Sequence, residues 1–260
     1  MTKPSNNFKS LLSDINELNS QETQQVFIPS LGRDVPFAPL TVKQQKKVLS
    51  SGVDTNIENL TFSNCMNSII TENIKDKNIT IYTIDRPIII LQIRKQAIGD
   101  NMKLYVGTDE YNISIDDQVK LIRDIEIGET SFTISVGEME IQCSVPDIKT
   151  DTTFNKHFTT KVKKGGQSKL ELTDLIGDIY VHEIVKFIDS IKLGENSVNF
   201  DTNLSTTEMI EIFESLPLSV SSKVTEGIQK VRNVEIKSTE SPDMPENSTI
   251  SIDASIFTSE

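Results

Sequence analysis

The stretch FIPSLGRDVPFAPLTVKQQKKVLSSG, residues 27–52, predicts in order a short strand, a tight turn and an extended segment. Pro29 and Gly32 end the strand, since proline cannot continue a central strand and glycine tolerates a turn conformation. Pro36 and Pro39 hold their neighbours extended, because a residue that precedes proline avoids the α region. The sequence therefore predicts a stiff connector here, leading into the next element.

A helix is predicted to follow the connector. Thr41 and Gln44 have the spacing of a capping box, and Gly52 suits the left-handed end of a helix. The stretch contains no histidine and no cysteine, and Asp34 is its one acid. It therefore offers no acid–base or metal-binding pair, and scaffolding or partner binding is the function that we expect of it.

Other helices are predicted from apolar spacing and start signals. Asp85 followed by Pro87 is typical of a helix start, where the carboxylate caps the first turn, although the β-branched run IIILQI also fits a strand. Residues 79–84, ITIYTI, alternate like a strand. Ser205 and Glu208 form a second capping box. The predicted helices cover residues 41–52, 60–74, 85–97, 172–191, 209–216 and 219–233.

The sequence pattern changes from helical to β-rich between residues 102 and 145. The segments KLYVG, EYNISI, QVKLIRDI, SFTISVG and MEIQCSV are short and β-rich, and Gly107 and Gly137 suit hairpin turns. An antiparallel meander of about five strands is therefore predicted. The polar residues 146–169, which end in KKGGQSK, are expected to form a flexible loop.

Both ends of the chain are polar with apolar insertions. A short amphipathic helix near the N-terminus would need a partner surface for Phe8, Leu11, Leu12, Ile15 and Leu18. Residues 238–260 hold five acids and no base, and TISIDASIF within them alternates like a strand. Such a strand on a polar tether can add to the sheet of another protein, and a frayed tail is the alternative.

The predicted fold class is α+β, with helical N-terminal and C-terminal parts that flank a central antiparallel β-meander. Five regions follow from this pattern. They are a polar N-terminal arm (1–25), a mixed strand and helix region (26–100), the meander with a basic loop (101–169), a C-terminal helical region (170–235) and an acidic tail (236–260).

Composition limits the possible functions. The 260 residues carry a formal charge of −12, which opposes binding to nucleic acid. The longest strictly aliphatic run, residues 88–91, is far too short to span a bilayer, and the N-terminus lacks a signal-peptide core. We therefore expect no nucleic acid or membrane partner, and a protein that is made in a cytoplasm or built into something assembled there.

No catalytic or metal-binding constellation is visible in the sequence. Cys65 and Cys143 lack a CxxC context, so two buried free thiols are expected, with one disulfide as the alternative. His157 is expected in a polar loop, and His182 at the surface or at a boundary. Three acids near predicted turns, Asp109, Asp116 and Asp117, are read as turn formers. We expect a protein without enzymatic activity, cofactor, metal or small-molecule substrate.

Two basic clusters stand out in this acidic chain. Lys43, Lys46 and Lys47 lie on one face of the first capped helix, and a second cluster comprises Lys161, Lys163, Lys164 and Lys169. Each can contact an acidic partner, and a solvated face is the alternative.

Three segments resemble, in the same order, a family of tail proteins from contractile-tailed phages of the T-even type, the baseplate hub subunits or hub assembly chaperones. The front matches through Pro29, Ser30, Leu31, Val35, Phe37, Pro39, Leu40, Thr41, Val42 and Lys43. The middle matches through Asp85, Leu91, Arg94, Ile98 and Gly99, and the C-terminal pair through Glu214, Leu216, Pro217, Lys223, Ile228 and Val231. Some relatives carry CxxC pairs after the middle element, and this sequence has none there, so metal binding is not carried over.

The resemblance, over about residues 25–235, implies a non-enzymatic role in assembling the central hub of a phage baseplate, with other hub or tail proteins as partners. A stable structural component of the baseplate or tail is the alternative. The location implied is the host cytoplasm during assembly, and then the virion tail. Candidate partner-binding residues are Phe37, Leu40, Lys43, Lys46, Lys47, Ile250, Ile252, Ile256 and Phe257. Phe37 and Leu40 could instead pack in the core.

Overall fold

The computed structural model describes residues 6–52, 58–165, 169–201, 203–246 and 248–258. The helices are α1 (Asn6–Gln21), α2 (Val42–Ser51), α3 (Glu58–Asn73), α4 (Arg86–Ala97), α5 (Ile115–Arg123), α6 (Ile148–Gly165), α7 (Lys169–Val185), α8 (Thr206–Glu214), α9 (Leu218–Val231) and α10 (Asn233–Thr239). The strands are β1 (Gln24–Ile28), β2 (Arg33–Phe37), β3 (Asn101–Val106), β4 (Asp109–Ser114), β5 (Ser131–Val136), β6 (Met139–Ser144), β7 (Ile188–Leu193) and β8 (Asn196–Asn199). The predicted α+β class, with helices on both sides of a central antiparallel region, is confirmed.

The opening stretch forms the predicted strand, turn and capped helix, and its extended segment is the second strand of a β-hairpin. The left-handed conformation expected at Gly52 is wrong, because its φ is −85°. Strands β1 and β2 pair antiparallel, and Gly32 ends the short turn between them at a φ of 60°. Thr41 Oγ1 accepts a hydrogen bond from the Gln44 amide at 3.2 Å, and Gln44 Oε1 accepts one from the Thr41 amide at 3.0 Å. This capping box fixes the start of α2 and turns its Val48 face inward.

Helix α4 is the centre of the N-terminal core. Its residues from Pro87 to Arg94 are all buried, and all of them except Gln92 and Arg94 are apolar, which is typical of an enclosed helix. The one amide within this run, Gln92, accepts from the Phe27 amide at 2.8 Å and donates to the Phe27 carbonyl at 3.0 Å. It thereby satisfies backbone groups of β1, and the helical reading of IIILQI is confirmed.

Asp85 precedes α4 but does not cap it as predicted. Its carboxylate instead accepts from the Ser30 amide and the Ser30 hydroxyl, both at 2.7 Å, and from the Tyr82 amide at 2.9 Å. Burial raises the pKa of Asp85 above its usual value, although these donors favour the charged form. The residue therefore ties the PSL turn of the hairpin to the start of α4.

The predicted meander is interrupted by a helix. Hairpins β3–β4 and β5–β6 turn at Gly107 and Gly137, as predicted, and both glycines have positive φ. The segment QVKLIRDI was expected to be a strand, and this is wrong because most of it lies in α5. The buried residues of α5 include Ile115, Val119 and Ile122, which have helical spacing.

The polar loop expected over residues 146–169 is also wrong, since Ile148–Gly165 forms α6. The inward positions of this helix follow helical spacing, but two of the five described ones are polar. The five buried residues are Ile148, Asp151, Phe154, Asn155 and Phe158. Because Asp151 and Asn155 are polar, the sequence lacks the regular apolar spacing that would have identified the helix.

The second core is covered by a four-stranded sheet in the order β5-β6-β7-β8. The helix predicted over residues 172–191 ends at Val185, and the chain then forms β7, in which Ile191 pairs with Ile141 of β6. The capping box of Ser205 and Glu208 at α8 is confirmed. So is the buried stripe of α9, which comprises Val220, Val224, Ile228 and Val231.

The end of the described chain returns to the N-terminal core. The strand expected in TISIDASIF is wrong, because Ala254–Phe257 forms a 3-10 turn that Asp253 caps. Ile256 and Phe257 are each 3% exposed, and Arg94 Nε donates to the Ile256 carbonyl at 3.3 Å. The strand considered for residues 79–84 is wrong as well, since Tyr82 makes only an isolated bridge to Asp147.

Candidate functional site

The acids that the sequence placed near turns serve local structure. Asp109 begins β4 after the Gly107 turn, and Asp116 and Asp117 lie in the first turn of α5. Asp117 pairs with Lys120 at 2.8 Å. Among the described residues, no group of three or more histidine, cysteine or acidic side chains is placed to hold a metal ion.

Both cysteines are free thiols, which confirms the expectation over a disulfide. Cys143 lies in β6, where burial raises the pKa of its thiol to about 12. Cys65 lies on α3 and is partly buried, and burial raises the pKa of its thiol as well. Thiols held in the protonated form are poor nucleophiles, so neither side chain resembles a reactive cysteine.

The two histidines, 25 residues apart in sequence, meet between α6 and α7. The rings stack with centroids 5.4 Å apart, and His157 Nδ1 lies 3.2 Å from His182 Nε2. The prediction of a surface or boundary position for His182 is wrong, because it is 5% exposed and contacts Phe158 edge to face. Burial lowers the pKa of His182, so the uncharged form of this ring is favoured where it packs between α6 and α7.

A buried ionic cluster joins the two cores. Asp151 of α6 accepts hydrogen bonds from Arg86 at 2.6 Å, Lys186 at 2.7 Å and Asn67 at 2.9 Å. Burial opposes the charge on Asp151, yet Arg86 and Lys186 outweigh it and hold the pKa of that carboxyl well below its usual range. The cluster fixes α6 against α3 and α4, and its members are saturated by one another.

The predicted partner-binding residues separate into two groups. Phe37 is 1% exposed in the N-terminal core, and Leu40 is partly buried against the same core, so the core alternative describes this conformation. The tail residues Ile250, Ile256 and Phe257 are also buried there, and Ile252 packs against the core at its edge. Partner binding by these apolar residues stays a prediction. The second group, Lys43, Lys46 and Lys47, is exposed.

The exposed lysines share one face of α2. The capping box directs Gln44, Val48 and Ser51 inward, so the opposite face of the helix points to solvent. Val42 begins this outer face and is 83% exposed. Lys43, Lys46, Lys47 and Ser50 continue it along the helix.

Beside this face lies a cavity of about 750 Å³ between α2, α3 and α6. Lys47 lines it from α2, and the exposed Lys149 and Lys156 line it from α6. Among the described lining residues Glu72 is the one acid, and it is held by Ser68 and Gln44. We call this cavity, together with the α2 lysines, the basic groove.

The positive charge of the basic groove lowers the pKa of its one described acid, Glu72. Burial acts to raise the pKa of Glu72, but hydrogen bonds from Ser68 and Gln44, with the charges of Lys47 and Lys43, lower it below its usual value. Deeper in the groove, Asn64 Oδ1 is buried without a hydrogen-bond partner in the described structure. The groove thus presents positive charge in a chain of charge −12.

Sequence reasoning found half of this groove. The lysines of α2 were identified by their helical spacing, whereas Lys149 and Lys156 were missed because their helix was read as a loop. In the other basic cluster, Lys161 pairs with Asp178 at 2.6 Å, and the side chains of Lys163, Lys164 and Lys169 lie outside the described residues.

Comparison with known proteins identifies the family of the chain. No curated protein and no solved structure matches the chain. None of the described helices has the length and apolar composition needed to cross a membrane. The family model described as T4 bacteriophage base plate protein matches residues 21–250, which is most of the sequence. The chain therefore belongs to the family of T4 bacteriophage base plate proteins.

Proposed function

We propose that this protein is a non-enzymatic component of baseplate central-hub assembly that binds another hub protein through the basic groove. The observation that carries the proposal is the concentration of Lys47, Lys149 and Lys156 around one cavity of an acidic chain, with Lys43 and Lys46 on the exposed face of α2. Membership in the baseplate family supports other phage baseplate proteins as partners, and the virion tail as the place of action.

The charge distribution favours an acidic segment as the bound part of that partner. Such a segment is attracted to the groove and repelled by the rest of the chain. This charge pattern determines where and in which orientation the segment binds, more than how tightly it binds. Exposed hydroxyls of α6, such as Thr153, provide polar contacts within the same cavity. Because exposed charges are screened by salt, binding should weaken as ionic strength rises.

The test replaces the groove lysines and measures binding to purified hub proteins of the same phage. In the variant, Lys47→Glu, Lys149→Glu and Lys156→Glu are combined. We expect binding to one hub protein to weaken by about tenfold or more, and to lose its salt dependence. The matched control reverses exposed lysines far from the groove, Lys192→Glu, Lys223→Glu and Lys230→Glu, and should bind normally.

Equal loss of binding in both sets would indicate a general effect of charge and would contradict the proposal. Thermal unfolding of each variant verifies that the chain still folds. In phage lacking the gene, the groove variant should fail to restore hub assembly whereas the control restores it.

The role of chaperone and the role of structural component differ in the final particle. A chaperone is absent from mature tails although hub assembly requires it, whereas a structural component is present in them at a fixed ratio. Quantitative mass spectrometry of purified virions measures this ratio directly, and residence at fixed stoichiometry would exclude a purely transient role.

A further inference from the structure

Strand β5 forms an open edge of the four-stranded sheet. It pairs with β6 on one side, and no described strand pairs with its other side. The Thr130 carbonyl accepts from the Val145 amide at 2.8 Å, and this pair continues the β5–β6 register. Because hydrogen-bonded and non-hydrogen-bonded pairs alternate along an antiparallel ladder, the backbone groups of Ser131, Thr133 and Ser135 point outward from the edge.

This edge lacks the features with which proteins usually prevent strand pairing. Strand β5 is six residues long, SFTISV, and it contains no proline and no charged residue. The irregularity of this sheet lies between β6 and β7, away from the edge. The opposite edge strand, β8, has only four residues, and short edge strands resist pairing. Of the two edges, β5 is therefore the one to which a further strand can add.

The second core is incomplete at the same edge. Ile141 and Cys143 of β6 are 0% and 1% exposed, whereas their β5 partners, Ile134 and Phe132, are only partly buried. A strand on the outer side of β5 would cover these two side chains, as β5 covers those of β6. The residues with outward backbone groups are exposed and carry hydroxyls. An added strand would therefore need apolar side chains toward the core and polar side chains on the other face.

A groove of about 360 Å³ lies between β5 and α9, and we call it the edge groove. Two lysines of α9, Lys223 and Lys230, and two glutamates, Glu129 and Glu226, line it, so the formal charges of its lining cancel. A segment with net charge of either sign gains little from such a lining. An uncharged segment is therefore the one that matches this groove, in contrast to the acidic segment proposed for the basic groove.

A second copy of the chain fits this edge poorly. Helix α9 packs on the core face of β5 at Gly227, where an added methyl group would overlap the Phe132 ring. If two copies paired their β5 strands antiparallel, both α9 helices would lie on the same face of the joined sheet. The two strands would be about 4.8 Å apart, whereas packed helices need about 8–10 Å. Two chains of charge −12 also repel one another, and a single extended segment avoids both problems.

We propose that the β5 edge binds an extended, uncharged segment of a different baseplate protein, which adds a strand to the sheet. Hydrogen bonds to the backbone of Ser131, Thr133 and Ser135 provide the affinity, and alternate apolar side chains of the segment cover Phe132 and Ile134 and provide the specificity. Family membership supports a baseplate protein as the partner. The basic groove shares no lining residue with the edge groove, so the two proposals stand independently.

The experiment blocks the edge by a single substitution in the full chain. Thr133→Pro removes an amide that points outward, and it leaves the ladder to β6 intact, since proline is tolerated on edge strands. The matched control is Ser197→Pro on the opposite edge. The Phe200 amide donates to the Asp189 carbonyl at 2.7 Å, which continues the β7–β8 register, so the Ser197 amide also points outward.

The probes are overlapping peptides of about twelve residues, long enough to hold a complete strand, that cover the other baseplate proteins of the same phage. Binding is measured by fluorescence anisotropy. We expect one uncharged peptide of alternating pattern to bind the wild type and Ser197→Pro equally, and to bind Thr133→Pro at least about tenfold more weakly. The groove variant with Lys47→Glu, Lys149→Glu and Lys156→Glu should bind this peptide normally, which separates this proposal from the basic groove.

Amide exchange provides a test that needs no substitution. In the complex of the wild type with the peptide, the amides of Ser131, Thr133 and Ser135 should exchange more slowly, since they become hydrogen-bonded. Nuclear magnetic resonance resolves these three amides individually. This measurement decides the proposal even if the proline variant fails to fold.

Three outcomes overturn the proposal. If no peptide binds the wild type, or if a bound peptide leaves those three amides unprotected, the β5 edge is not a site for strand addition. If Thr133→Pro folds and binds the peptide as well as Ser197→Pro does, the segment lies elsewhere. If sedimentation equilibrium shows that the wild type self-associates and Thr133→Pro does not, the occupant is a second copy.

Discussion

The Asp151 carboxylate lies 2.7 Å from the Nζ atom of Lys186, and both side chains are almost completely buried. Asp151 also accepts from Arg86, which begins the central helix α4 of the N-terminal core. Lys186 follows α7 of the second core and holds a further pair with Glu183 at 2.8 Å. One carboxylate thus pairs with two cations that come from opposite halves of the chain.

The first prediction is that Asp151→Asn destabilises the fold by about 3–5 kcal/mol, because Arg86 would lose its counter-charge and the buried Lys186 would keep only its pair with the partly exposed Glu183. Urea unfolding at pH 7 measures the loss. The control is Asp76→Asn, which removes the exposed pair with Arg33 at 3.5 Å and should cost about 1 kcal/mol or less.

The pH dependence checks the same mechanism. The pKa of Asp151 is lowered in the folded state, so its contribution is complete above the unfolded pKa of about 3.9 and is lost as pH falls below it. The wild type and Asp151→Asn should therefore converge in acid. Curves that stay parallel down to pH 3 would show that the substitution acts through packing and not through charge.

This cluster marks the limit of what the sequence predicts. Asp151 is separated from Arg86 by 65 positions and from Asn67 by 84, and nothing local in the sequence pairs such residues. Helix α6 was not predicted for a related reason. Asp151 and Asn155 occupy inward positions of this helix, where apolar side chains are expected. Sequence periodicity identifies elements whose buried faces are apolar, and it misses a buried face built from charge.

Elements whose signals lie within a few residues of one another were predicted correctly. The capping box of Thr41, the aliphatic run of α4 and the stripe of α9 depend on neighbours within a few residues. Segments that alternate over six to nine residues were less certain. The isoleucines near Ile250 alternate like a strand, yet they are buried by docking of the chain end into a distant core, which local sequence does not specify.

The second prediction concerns His182, whose pKa is lowered by burial. Below about pH 6.5 the unfolded chain binds a proton at this histidine, whereas the folded chain does not. The free energy of unfolding therefore falls as pH drops through that value. We expect the wild type to lose on the order of 1 kcal/mol between pH 7.5 and pH 5.5. His182→Gln should flatten this part of the curve, measured by urea unfolding at each pH, and an unchanged slope would assign the proton uptake to another group.

The third prediction uses the close approach of α9 to β5. A methyl group added at Gly227 would overlap the ring of Phe132, so the absence of a side chain lets the helix pack on the strand. Gly227→Ala should therefore destabilise by about 1–3 kcal/mol, although alanine favours a helix. In a Phe132→Ala background the sign should reverse, with a gain of up to about 1 kcal/mol. A loss of equal size in both backgrounds would mean that the ring is not the obstacle.

The fourth prediction concerns the docked chain end. Phe257 is 3% exposed, and the Ile250 amide donates to the Thr239 carbonyl at 2.6 Å, so the segment is anchored at both ends. Phe257→Ala should remove about 3 kcal/mol of packing free energy. The measured loss cannot exceed the free energy that holds the segment against the core. Hydrogen exchange at the Ile250 amide should accelerate while amides of α4 stay protected. Ile252→Ala, at the edge of the core, is the control and should leave exchange slow. If Phe257→Ala instead lowers protection throughout α4, the chain end is a full member of the N-terminal core, and it would not be free to bind a partner without unfolding that core.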